Sequence, residues 1–104
     1  MIEGLEVREK KRRKKAGASK TWSLYILRCS DGSLYTGITN DIAKRLAAHQ
    51  SGKGARFTRT RLPVELVYRE ACASRSAALI REFHFKSFSR KKKEELIGSQ
   101  PQVG

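Results

Sequence analysis

Five side chains have the types and spacing to act together on a phosphate ester: Tyr25, Tyr35, Arg45, His49 and Glu82. Arg45 and His49 stand one turn apart if their segment is helical, and a fork of donors beside a titratable imidazole suits phosphate. The plainer alternative is a solvent-facing arginine and a rim histidine. Tyr25 and Tyr35 flank a run of turn residues, so a hairpin would set their strands side by side; tyrosine in a strand also simply fills the pleat well. Glu82 sits between Ile80 and Phe83, close to an apolar stripe in a chain with surplus cation. A carboxylate there can pair with Lys86 one turn on. It can also hold a hard, oxygen-seeking ion such as Mg²⁺, which often takes one carboxylate plus waters and substrate phosphate. On pattern alone the ion pair suffices.

The elements that would position these groups follow from periodicity and turn chemistry. Residues 22–28 (WSLYILR) alternate, with Trp22, Leu24 and Ile26 on one face and Tyr25 and Leu27 on the other. Residues 30–33 supply a turn, with Gly32 free to take positive φ, and residues 34–38 read as the return strand. Gly37 inside that strand is costly unless something needs close backbone approach. Thr39, Asn40 and Asp41 offer caps for a helix over residues 42–50, which Ser51 and Gly52 stop. A basic, glycine-containing loop over 52–62 leads through Pro63 to a third strand over 64–70. Ser74 caps a second helix over 75–88, with Leu79, Ile80 and Phe83 as its apolar stripe, and Ser89 restarts a short helix through residue 97. The order β-β-α-β-α(-α) predicts an α+β fold, a three-stranded antiparallel sheet flanked by helices.

The totals narrow the partners. One domain suits 104 residues. A formal charge of +13 and an isoelectric point near 10.4 favour polyanions. No apolar stretch of about 18 residues exists to span a membrane, and the basic run has no bulky apolar face with which to lie on one. The first residues lack the order of a secretory signal, so a reducing cytoplasm is the expected setting. Cys29 and Cys72 then read as small buried hydrophobes; a zinc site joining them to His49 and His84 lacks recognisable ligand spacing. Residues 8–20 (REKKRRKKAGASK) carry nothing apolar larger than alanine, which predicts a disordered basic arm over 1–21, a folded domain over 22–97 and a frayed tail over 98–104. The arm serves either as a solubilising tail or in electrostatic capture of a phosphate backbone.

Leu24-Tyr25-Ile26, then Tyr35-Thr36-Gly37, then residues 40–49 (NDIAKRLAAH) resemble the paired motifs and following helix of the GIY-YIG nuclease superfamily. The later GKGARFTRTRLPVELVYRE and the Glu82 helix resemble its small stand-alone bacterial branch. Each motif alone is weak, but their order and spacing make the set specific, and the likeness covers about residues 22–97.

The resemblance implies roles residue by residue. Tyr25 matches the first-motif tyrosine, a general base or partner of the attacking water, and Tyr35 the second, which helps orient nucleophile and phosphate. Gly37 matches the motif glycine and Asn40 an asparagine common among relatives, although an asparagine there is equally a cap. Arg45 resembles the arginine that meets charge on the scissile phosphate, His49 falls where some members carry a site histidine, and Glu82 resembles the sole metal-ligating carboxylate. Leu24 and Thr36 depart from the nominal motif without touching the reacting groups. His84 and Phe85 are bulkier than expected beside Glu82.

The implied activity is metal-dependent endonucleolytic hydrolysis of DNA, structure-directed rather than sequence-specific, with Mg²⁺ or Mn²⁺ on Glu82. RNA is a second possible substrate, and one small domain suits a protein partner that selects the target. Lys53, Arg56, Arg59, Arg61 and Lys86 are the expected backbone-gripping cations, and Phe57 either stacks on an unpaired base or plugs the sheet edge. A phenol ionises near pH 10, so tyrosinate chemistry requires neighbouring cations to lower Tyr25, giving activity that climbs from neutral to alkaline pH. The rivals are a non-catalytic DNA- or RNA-binding module on the same fold and a ribosome-associated protein.

Overall fold

The computed structural model describes residues 21–100; the basic arm expected over 1–20 and the last part of the expected tail, 101–104, lie outside the described residues. Strand β1 (Trp22–Arg28) is central, paired antiparallel with β2 (Leu34–Thr39) on one side and β3 (Glu65–Cys72) on the other. Gly32 makes the β1–β2 turn at φ 86°, with Cys29 N–H donating to the Ser33 carbonyl at 2.9 Å. Between β1 and β3 the register shifts: Ile26 faces Tyr68 but Leu27 faces Leu66, leaving Val67 as a bulge.

Both sheet faces are covered, and for this reason residues 23–27 of β1 are all buried. Helix α1 (Ile42–Gln50) lies over the layer of Tyr25, Leu27, Cys29 and Val64 through Ile42 and Leu46. Helices α3 (Arg75–Lys86) and α4 (Arg90–Ser99) cover the layer of Leu24, Ile26 and Tyr68 through Phe85, Leu96 and Ile97. Burying a large side chain is worth about 1.5–3 kcal/mol, so these layers dominate the fold energetically. Asp41 caps α1, its carboxylate accepting from Lys44 N–H at 3.2 Å, and Ser74 and Ser89 cap α3 and α4 in the same way.

Four expectations are revised. The loop over 52–62 contains a one-turn helix, α2 (Arg56–Arg59). The third strand continues to Cys72 rather than ending at residue 70. The expected stripe of α3 faces solvent: Leu79, Ile80 and Phe83 are 40, 61 and 74% exposed, while Ala78 and Phe85 are fully buried. Ala78 and Phe85 are two turns apart on one face, and small Ala78 faces the packed layer while Phe85 fills it; Ile80 and Phe83 are rotated well away from that face. Finally, Gly98 and Ser99 complete α4 instead of fraying. Gln100 then bonds the outer edge of β3, accepting from Arg69 N–H at 2.9 Å.

Candidate functional site

The register places Tyr25 opposite Gly37 and Leu27 opposite Tyr35, so both tyrosines stand on the α1 face of the sheet. Gly37 is needed there: a Cβ on it would come within 2.6 Å of the Tyr25 hydroxyl and 2.8 Å of its ring. The group that approaches this glycine within the strand is the Tyr25 phenol. The rings of Tyr25, Tyr35 and His49 form a triangle with centroids 5.2–6.3 Å apart.

Arg45 and His49, one turn apart on α1, both reach the Tyr25 hydroxyl. Arg45 Nε donates to it at 3.3 Å, and His49 Nε2 lies 2.9 Å away. Burial pushes the Tyr25 phenol above its ordinary value; the bond from Arg45 opposes this, and the charges of Tyr35 and Glu82 add to it. This runs opposite to the lowering that tyrosinate chemistry requires. Burial, followed by the nearby Arg45 charge, pushes His49 down, and the bond to Tyr25 leads in holding Arg45 up. A neutral imidazole therefore sits beside a neutral phenol and a firmly charged guanidinium at neutral pH.

Glu82 comes from the opposite layer. It shares the inner side of α3 with Ala78 and Phe85, and its charge is felt at Tyr25 around edge strand β2. Its Oε2 meets Lys86 Nζ at 3.3 Å, so the one-turn ion pair is present, and its side chain is 21% exposed. A hollow of about 220 Å³ at the β2 edge joins the two layers, lined by Leu34, Tyr35, Thr36, Phe57, Lys86 and Lys93. Lys93 escaped the sequence reading because a run of three lysines looks like a solvated face.

The loop cations divide. Lys53, Arg56 and Arg59 are exposed. Arg61 is committed to structure: it pairs with Asp31 at 3.2 Å, donates to the Phe57 carbonyl at 2.8 Å and stacks 3.9 Å above the Phe57 ring. Phe57 in turn stacks on Tyr35, centroids 6.1 Å apart, and stays 38% exposed. Asn40 is not the α1 cap, a place taken by Asp41; it lies in a shallow groove with Lys44 and Arg45. Cys29 and Cys72 belong to opposite layers of the sheet and share no site with the two histidines.

Two further residues complete the surroundings of His49. Thr58, fully buried, lies 2.8 Å from its Nδ1, and a Cβ on Gly54 would come within 2.7 Å of its Cγ. A threonine inside FTRTR reads as loop, so composition gave no sign of it; the paired glycines of GKG were the available signal.

Comparison with known proteins places the chain in a family. Residues 21–95 match the model of the GIY-YIG catalytic domain. A UPF0213 protein of Bacillus pumilus is 56% identical over 70% of this chain and 74% of its own; one of Staphylococcus saprophyticus is 53% identical over 71% and 90%. The solution structure of a UPF0213 protein from Bacillus halodurans, 46% identical, superposes with a TM-score of 0.50 over 75% of this chain and 83% of that one. A solution structure from E. faecalis, 34% identical, gives 0.57 over 86% and 98%. With the match to the catalytic domain covering most of its length, the chain belongs to the GIY-YIG catalytic domain family, whose members are in general nucleases.

Proposed function

We propose that this protein is a metal-dependent endonuclease that hydrolyses DNA phosphodiester bonds and selects them by structure rather than by base sequence. The observation that carries the reading is the chain Arg45–Tyr25–His49, a guanidinium, a phenol and an imidazole in direct contact at the sheet. The scissile phosphate lies against Arg45, whose terminal nitrogens meet charge building on the non-bridging oxygens while its Nε stays on Tyr25. The Tyr25 oxygen keeps one lone pair for the attacking water. As water gives a proton to that oxygen, Tyr25 passes its own to His49 Nε2; the hydroxide so formed makes the new P–O bond and the bond to the leaving oxygen breaks. No resting tyrosinate is needed, which accommodates the raised phenol. Tyr35 packs against Tyr25 and His49 and orients both.

Glu82 fits the metal role. Its side chain is largely shielded and one of its oxygens meets Lys86, and a lone carboxylate completed by waters and substrate phosphate is a donor set that Mg²⁺ or Mn²⁺ accepts. Glu82 would hold the divalent cation, which when bound would supply charge to polarise the phosphate and support the departing oxygen. Exposed Lys53, Arg56 and Arg59, with Lys86 beside the hollow, grip backbone without reading bases, while Phe57 offers a face to an unpaired base.

Supercoiled plasmid and branched, nicked and single-stranded substrates, with Mg²⁺ or EDTA, test this directly. Cutting should require the metal and fall about 100-fold or more in Glu82→Gln and Arg45→Ala. Tight binding without cutting on any DNA or RNA form would establish the non-catalytic module instead.

A further inference from the structure

We propose that Thr58 is a positioning residue that sets the tautomer of His49, protonating Nδ1 so that a bare Nε2 faces Tyr25. The Thr58 hydroxyl lies 3.0 Å from the Ala55 carbonyl oxygen, which can only accept, so its single proton is committed there. Its oxygen lies 2.8 Å from His49 Nδ1 and is therefore left to accept, which places the ring proton on Nδ1. Nε2 is then a free acceptor 2.9 Å from the Tyr25 hydroxyl, which donates to it while accepting from Arg45 Nε at 3.3 Å. Every bond in the run Arg45–Tyr25–His49–Thr58–Ala55 thus has one donor and one acceptor.

The opposite tautomer breaks this pattern. A bare Nδ1 would draw the Thr58 proton and leave two oxygens 3.0 Å apart with no hydrogen between them. It would also set the Nε2 proton and the Arg45 Nε proton both upon the Tyr25 oxygen. The Ala55 N–H, 3.5 Å from Nδ1, would favour that arrangement, but it is at the limit of a hydrogen bond and is outweighed by the 2.8 Å contact. Burial makes the device rigid: Thr58 and His49 are both fully buried, and Gly54 closes against the ring. The segment between α1 and β3 is thereby more than a basic grip. Its one-turn helix carries Thr58 into the site, and which nitrogen of a histidine bears the proton follows from the bond its other nitrogen makes.

The catalytic half of this inference rests on the nuclease reading; the structural half does not, and the test separates them. Long-range ¹⁵N–¹H correlation of the histidine side chains in the full chain, at a pH where His49 is neutral, should show His49 protonated at Nδ1 and bare at Nε2. Thr58→Val should mix or reverse that pattern, and Thr58→Ser should restore it. In cleavage assays Thr58→Val should lower kcat about 10- to 100-fold with KM little changed, and Thr58→Ser should recover most of the loss. A bare Nδ1 in the wild type overturns the proposal even if the valine variant fails to fold. A tautomer that switches without any change in kcat overturns its catalytic half. An Nδ1-protonated wild type that cuts nothing would sink the nuclease reading and leave the Thr58 assignment standing.

Discussion

Tyr25 illustrates how much one hydroxyl can be asked to do. Its ring lies over Gly37, and its oxygen is shared by Arg45 and His49. The phenol is raised by burial and the imidazole lowered by it, so the group that changes charge nearest neutrality is His49. If His49 is the final proton acceptor, its imidazolium form is inactive. Because its folded value lies below the ordinary 6.5, kcat/KM should fall only as pH drops beneath that point and run level from about pH 7 to 9. A rate that rises tenfold per pH unit through the alkaline range would restore tyrosinate as the base. Gly37→Ala probes the same atom from the backbone. Its methyl group would meet the Tyr25 hydroxyl and force the ring to tilt, so cleavage should drop more than tenfold for a stability cost of about 1–3 kcal/mol in denaturant unfolding.

At the scale of elements, α3 shows what a sequence displays and what it conceals. The strands and α1 were legible because alternation, turn residues and caps are local signals. The inward face of α3 was not, since it depends on where the sheet leaves room: Ala78 and Phe85 face inward, and Leu79, Ile80 and Phe83 are left outside. The stripe of Leu79, Ile80 and Phe83 was expected on the buried side and lies on the exposed one. Phe85→Ala should therefore cost about 3–5 kcal/mol and Phe83→Ala within about 0.5 kcal/mol, measured by chemical unfolding. Equal effects would contradict the observed packing. Helix α4 is docked by charge as well as by Leu96 and Ile97. Arg28 holds Glu94 through two bonds of 2.9 Å, and Arg90 adds a third, which together bring the carboxyl from 4.5 to about 2. A carboxyl lowered in the folded state stabilises above its ordinary value, and the stabilisation is lost as pH falls from 4.5 towards 2. Solvent screening reduces the effect to about 1 kcal/mol, and Glu94→Gln should remove that part of the acid sensitivity while leaving neutral-pH cutting intact.

Across the whole molecule, the proposed site depends on two layers meeting around one edge strand. Tyr25, Arg45 and His49 stand on the α1 side and Glu82 on the α3 side, and the hollow at the β2 edge, lined by Tyr35 and Phe57 from one side and Lys86 and Lys93 from the other, lies between the two layers. A thin sheet with helices on both faces is the simplest scaffold that permits this, and a reading of separate motifs cannot reveal it. The same view sorts the cations. Lys53, Arg56 and Arg59 are exposed, and in the proposed function they meet the phosphate backbone, whereas Arg61 is engaged with Asp31 and Phe57. Neutralising the first three to glutamine should therefore lower the slope of log K against log salt by about 2–3, alike for every DNA sequence, since each phosphate contact contributes about 0.9. Arg61→Gln should change that slope little and instead loosen the Phe57 loop, visible as faster amide exchange through residues 55–61. If Arg61 altered the salt slope as much as its neighbours, the division between gripping and bracing cations would be wrong, and the loop would have to rearrange when nucleic acid arrives.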